Sequence, residues 1–153
     1  MREEVLLIGE VKVFDGPVLM KCYGLSSCIG LFVKDRITGV TGGAHIFLPE
    51  GSKDNLHEGV AGDCVKQMLE QMRGKGASLD TLRAKITGGS NPLMHSYEVG
   101  SRNTKAVIDA LVYNRVYIAA MDVGGNISRS AKFNTTSEEL TVRQLEFNMT
   151  KIF

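Results

Sequence analysis

Cysteine and histidine are the residues in this chain able to combine nucleophilic attack with proton transfer near neutral pH. Cys28 follows a small polar run, Cys22-Tyr23-Gly24-Leu25-Ser26-Ser27, and opens an apolar strand pattern. A cysteine at a strand edge beside a flexible turn presents its sulfur to a bound molecule, and glycine lets backbone approach it closely. The attacking species is the thiolate, so the thiol needs a base or a positive charge nearby. His45, in Gly42-Gly43-Ala44-His45-Ile46-Phe47-Leu48-Pro49, is the best-placed base by type and context. Imidazole takes and returns a proton near neutral pH. Both residues also read as core: free cysteine behaves as a small apolar side chain, and a histidine in an apolar strand can be held by backbone. His57, at a helix start, and His95, after Asn91-Pro92, read as exposed surface positions. Cys64 fits the apolar face of a helix and reads as core.

Other site chemistries fit less well. Zinc held by Cys22, Cys28, Cys64 and His45 is conceivable, but structural zinc uses paired ligands at short spacing. The Cys22–Cys28 gap is wider, and no second pair exists. The glycine clusters Ile86-Thr87-Gly88-Gly89-Ser90 and Asp122-Val123-Gly124-Gly125-Asn126 are not phosphate loops, since neither is followed by Gly-Lys-Ser/Thr nor fits G-x-G-x-x-G. They read as tight turns of the kind that shape the rim of a site.

The elements that position these residues follow from periodicity. VLLIGEVKVF and VLMKCYG are strand-like, separated by the turn signal DGP; CIGLFVKD and TGVTGGAHIFLP follow around Asp35-Arg36. LPEGSKDN is a loop. Val60, Ala61, Cys64, Val65, Met68, Leu69 and Met72 recur at helical spacing and predict a helix over Leu56 to Arg73, ended by Gly74 and Gly76. RAKITGG is a strand entering a glycine turn. A second helix is predicted from Ser101 to Tyr113 with Val107, Ile108, Leu111 and Val112 inward. VYIAAMDV, ISRSAKFN and ELTVRQLEF supply three more strands. Helices do not alternate regularly with strands, so the expectation is an α+β domain with helices covering sheets.

The 153 residues suit one compact domain over residues 1–153. The formal net charge is +1 with interspersed signs, which argues against a nucleic-acid partner. No apolar run reaches the roughly 18–20 residues of a membrane span. MREEVLLIGE lacks the pattern of a signal peptide, so a cytoplasmic location without membrane insertion is expected. Three cysteines, an odd number, argue against a disulfide framework.

Five segments taken in order resemble the chemoreceptor glutamine deamidase family, CheD: Gly24-Leu25-Ser26-Ser27-Cys28, Gly43 to Pro49, Ala84-Lys85-Ile86-Thr87-Gly88-Gly89, Gly100-Ser101-Arg102-Asn103, and Asp122 to Asn126 with Arg129 after it. The resemblance implies a β-sandwich core flanked by helices, similar to the cytotoxic necrotizing factor catalytic domain. It implies a cysteine hydrolase with Cys28 as nucleophile and His45 as base, acting on receptor glutamine side chains in chemotaxis adaptation, with no metal or organic cofactor. The implied partners are methyl-accepting chemotaxis receptors and the phosphatase CheC. Some members of the family also act on glutamate methyl esters. A non-catalytic receptor- or CheC-binding modulator is the alternative. Two departures stand out. The family carries glycine where Ser26 stands, which matters if that backbone needs φ > 0. It carries threonine as third catalytic residue where Cys22 stands. A thiol is a weak hydrogen-bond partner, so orientation of His45 falls to Cys22, to Ser26 or to a backbone carbonyl, and a Cys22–Cys28 disulfide would silence the site.

Overall fold

The computed structural model describes residues 1–50, 59–91 and 98–153. The expectations for His57, for His95 and for the first residues of the Leu56–Arg73 helix lie outside the described residues.

Two five-stranded sheets face each other. One holds β1 (Arg2–Val5), β3 (Val18–Leu25), β8 (Arg129–Asn134), β9 (Leu140–Gln144) and β10 (Met149–Ile152), in that spatial order. The other holds β2 (Val11–Phe14), β5 (Thr41–Ile46), β4 (Ile29–Asp35), β6 (Leu82–Gly88) and β7 (Tyr117–Val123). The helices α1 (Ala61–Gly74) and α2 (Val99–Tyr113) cover the outer face of the second sheet. The chain is thus mixed α and β, with a sheet-rich core and helices on one side.

Alternation along β4 shows how the layers form. Ile29, Leu31 and Val33 face the helices, packing with Cys64, Met68 and Leu111. Phe32 faces the opposite way, into a cluster with Leu6, Met20, Cys22, Leu25 and Phe133, and stacks on the Phe133 ring at 5.3 Å between centroids. Both faces of this central strand are therefore buried, so it reads as a continuous apolar run. Gly42 and Gly43 of β5 admit neighbours from the two sides. A Cβ at Gly42 would strike Met68 of α1, and one at Gly43 would strike Met20 and Leu6.

Three expectations need correction. VLLIGEVKVF is not one strand: β1 pairs parallel with β3 and β2 pairs antiparallel with β5, so the chain changes sheets through residues 6–10. The change is made at Gly9, whose φ of 86° suits glycine best. Val112 of α2 is 62% exposed. The inward stripe is Gly100, Asn103, Val107 and Leu111, because a polar residue, Asn103, takes a place on the buried face. Finally, β10 lies beyond the last expected strand. All four of its residues are exposed, so it carries little hydrophobic alternation to read.

Candidate active site

The β4–β5 ladder brings Cys28 and His45 to the same face of the second sheet. Gly30 pairs with His45 and Ile29 with Ile46, antiparallel. Paired residues project from the same face of a sheet. Here that is the face toward the first sheet, shown by Phe32 two residues beyond Gly30. Cys28, two residues before Gly30, packs against the same cluster. The two side chains thus lie on one side of the sheet, toward the same apolar cluster. Cys28 is half-buried and His45 only 3% exposed.

The imidazole is oriented by the main chain. His45 Nδ1 lies 3.0 Å from the carbonyl oxygen of Leu6. A carbonyl only accepts, so in the neutral ring Nδ1 carries the proton and Nε2 carries the lone pair. His45 Nε2 is buried and has no hydrogen-bond partner among the described residues. In that tautomer Nε2 is an acceptor with no donor facing it among the described residues. The strand holding it is pinned by the bonds Gly9 N–H to His45 O, 2.8 Å, and His45 N–H to Glu10 O, 3.1 Å. The segment between β1 and β2 therefore supplies both the acceptor for the ring and the brace for its backbone. Sequence reading missed Leu6, since a carbonyl is common to all residues and leaves no mark on side-chain type.

Burial pushes the Cys28 thiol up from its ordinary range. At neutral pH the sulfur is protonated, and a thiolate there would need a base to take the proton. Cys22 is wholly buried beneath the site. Its sulfur is 3.6 Å from the position a Cβ on Gly30 would take. Burial first, and the neighbouring Cys28 second, push its thiol up to about 12. Cys22 is thus a neutral core residue, and neither it nor Ser26 makes the bond that orients His45. The backbone at Ser26 is not among the positive-φ residues; the left-handed position is Gly24, at φ 66°, so serine at 26 is accommodated without strain. Cys22 and Cys28 are not joined by a disulfide. A common zinc site is excluded for this set, since Cys64 lies among the helices on the far face of the second sheet from Cys22.

The remaining segments converge behind the Ser26–Cys28 turn. Gly89 N–H donates to Cys28 O at 2.9 Å and Ser90 N–H to Ser26 O at 2.7 Å. A Cβ on Gly88, at φ 109°, would run into the Cys28 carbonyl oxygen. Buried Arg129 braces this turn from behind. Its guanidinium donates to Ser90 Oγ at 2.8 Å and to Gly88 O at 3.3 Å, and pairs with Asp122 at 3.5 Å. Gly124 N–H donates to Gly88 O at 3.0 Å, and Asn91 N–H to Gly125 O at 2.8 Å. On the other side α2 begins with Gly100 pressed against the carbonyls of Gly89 and Ser90. Asn103, wholly buried, donates from Nδ2 to Ser27 O at 2.8 Å and to Phe47 O at 3.3 Å. The five segments singled out in the sequence are thus neighbours in space, packed around the Ser26–Cys28 turn.

A family model described as CheD chemotactic sensory transduction matches residues 47–144. The chain is 32% identical over 145 residues to the chemoreceptor glutamine deamidase CheD of Thermotoga maritima, covering 94% of this chain and 92% of that protein. It is 35% identical over 140 residues to a protein of Methanosarcina mazei named probable chemoreceptor glutamine deamidase CheD 1, covering 89% of this chain and 62% of that one. A similarly named protein of Haloarcula marismortui is 33% identical over 141 residues, 89% of this chain and 82% of its own length. Among solved structures, the Bacillus licheniformis hypothetical protein YfiH overlaps 74% of this chain and 51% of its own at a TM-score of 0.41 and 13% identity, too slight a likeness to bear on fold or activity. On the family match and these relatives, the chain belongs to the CheD family of chemotactic sensory transduction proteins.

Proposed function

We propose that residues 1–153 act as one unit, a protein-glutamine deamidase that converts receptor glutamine side chains to glutamate, with Cys28 as nucleophile and His45 as general base. The observation that carries this is the His45 tautomer: Nδ1 committed to the Leu6 carbonyl, Nε2 free and buried on the face shared with Cys28. The names of the relatives supply the substrate, a glutamine of a chemoreceptor.

The chemistry follows from these groups. His45 Nε2 takes the Cys28 proton as sulfur attacks the side-chain amide carbon. The carbonyl oxygen gathers negative charge, and the Cys28 N–H is the proposed donor that stabilises it. His45 returns the proton to the amide nitrogen, the C–N bond breaks, and ammonia leaves a thioester on Cys28. A water molecule then gives its proton to His45 and attacks the thioester; the carbon–sulfur bond breaks, sulfur recovers the proton, and glutamate departs. The sum is amide plus water giving acid plus ammonia.

The cytoplasmic helical region of chemotaxis receptors is the proposed target and the phosphatase CheC a proposed partner, both in the cytoplasm; among the described residues no helix is long and apolar enough to cross a membrane. The sandwich with helices outside is proposed to share its plan with the cytotoxic necrotizing factor catalytic domain. The test is mass spectrometry of a cognate receptor fragment incubated with the protein. The expected result is the mass gain of replacing amide nitrogen by oxygen at specific glutamines, abolished in Cys28→Ala. Receptor binding without any mass change in the wild type would instead make the chain a non-catalytic modulator.

A further inference from the structure

We propose that Asn103 is a positioning residue that sets the spacing between Cys28 and His45, an inference that rests on the assignment of that pair as nucleophile and base. The β4–β5 ladder ends at Ile29 and Ile46. One step further, the chain before Cys28 turns away through Ser26 and Ser27, and the chain after His45 leaves through Phe47, whose N–H bonds Gly59 O instead of β4. The two carbonyls left at this fork belong to Ser27 and Phe47, which flank the nucleophile and follow the base. Asn103 Nδ2 carries two donors and gives one to each, at 2.8 and 3.3 Å. It replaces the missing rung of the ladder with a side-chain amide from another layer.

Three observations favour positioning over simple core filling. Asn103 is wholly buried on an otherwise apolar helix stripe, between Gly100 and Val107. The two facing carbonyls fix which end of the amide is nitrogen. Its Oδ1 is then left buried with no partner among the described residues. A buried orphan acceptor costs stability, so the position retains a group that serves its neighbours at its own expense. Such local conflicts gather at functional sites. Asn103 also links α2 to both strands at the one level where the side chains of 28 and 45 must meet.

The test is a double-mutant cycle on the full chain with two readouts. The first is the pH dependence of Cys28 alkylation by iodoacetamide, with Cys22 and Cys64 distinguished by peptide mapping. The second is kcat and KM for deamidation of a receptor fragment. Asn103→Leu removes both donors and keeps the branched outline of the side chain. The expected result is a kcat lower by on the order of 100-fold, the scale of an ångström-sized misplacement, with KM nearly unchanged. The alkylation midpoint should move to higher pH. Adding His45→Ala to Asn103→Leu should cost little more than His45→Ala alone, because Asn103 acts through the pair. Additive effects, or an alkylation profile identical to wild type in a folded Asn103→Leu, would overturn the proposal. If that variant does not fold, Asn103→Ser retains one hydroxyl donor and should fall between wild type and Cys28→Ala in kcat, with a partial shift of the alkylation midpoint; a wild-type profile in it overturns the proposal equally. Alkylation needs no receptor. A coupled Asn103–His45 effect on it alongside a wild type that modifies no glutamine would retain this inference and remove the deamidase assignment, and the reverse pattern would remove the inference alone.

Discussion

Cys28 and His45 are ordinary residues made chemically specific by what surrounds them. Burial keeps the thiol protonated at rest, and a backbone carbonyl fixes the imidazole as an acceptor at Nε2. A thiol whose pKa is raised reacts faster as pH climbs, because the thiolate fraction grows. The alkylation rate of Cys28 should therefore still be rising above the ordinary thiol range near pH 8.5. Loss of the base in His45→Ala should cut deamidation by about 10²–10⁴-fold, the usual yield of general-base catalysis; an activity within threefold of wild type would remove His45 from the mechanism. Cys22 behaves differently. It is a neutral residue of the apolar cluster between the sheets, so Cys22→Ala should lower unfolding free energy by about 1 kcal/mol through lost packing while the pH profile of Cys28 alkylation keeps its shape. Denaturant unfolding and alkylation kinetics on the same variant separate the two roles. At this scale the sequence marked the thiol and the ring, by type and by small neighbours. It did not mark the Leu6 carbonyl, which carries no side-chain signature, and it gave Asn103 only as part of a segment, since nothing about an asparagine in a helix announces two backbone acceptors across the interface.

Glycine placement shows how the elements hold the pair. Gly88 and Gly124 both adopt left-handed φ, at 109° and 88°, yet their surroundings differ. A Cβ on Gly88 would strike the Cys28 carbonyl oxygen, whereas one on Gly124 would meet nothing within 4 Å. Gly124→Ala should then cost only backbone strain, about 1–3 kcal/mol. Gly88→Ala carries similar strain and also drives the Cys28 backbone from its place. It should lose activity well beyond its loss of stability, on the order of 100-fold. Comparing kcat with the denaturation midpoint of the two variants decides this: parallel losses in both would mean that Gly88 shapes the turn without aligning the sulfur. The repeated Gly-Gly segments were legible as turns around a site. Their division of labour was not, because it depends on which backbone passes behind each glycine. The splitting of VLLIGEVKVF between two sheets was hidden for a related reason: both halves alternate as strands do, and only the long-range pairing of Val5 with Lys21 and Val11 with Ala44 assigns them.

Across the molecule, strand β4 carries two different polar arrangements at its two ends. Ile29 adjoins the site, and Asp35 closes the other end, about 20 Å away at strand rise. Asp35 is wholly buried. It accepts from Thr81 Oγ1 at 2.6 Å, Thr38 Oγ1 at 2.7 Å, and the N–H groups of Ile37 and Ser78, each at 3.0 Å. Those bonds tie the β4–β5 turn to the segment between α1 and β6. Burial alone would raise this carboxyl, but the hydroxyl and N–H donors outweigh it and hold it at about 2. A carboxylate depressed in the folded state stabilises the fold above its unfolded value near 3.9. That contribution is lost as pH falls from about 4 toward 2, because the unfolded chain takes up the proton first. The fold should thus weaken with acid over that window, and Asp35→Asn should flatten the dependence while lowering stability at neutral pH by about 2–4 kcal/mol, as buried donors lose a charged acceptor. Because the staple sits at the opposite end from the thiol, the variant should retain the alkylation profile of Cys28 wherever it is folded. Urea midpoints from pH 2 to 7, measured beside that profile, give the answer. An acid dependence as steep in Asp35→Asn as in the wild type would assign the acid sensitivity to other carboxylates, and a shifted Cys28 profile would show that the two ends of β4 are coupled through the strand.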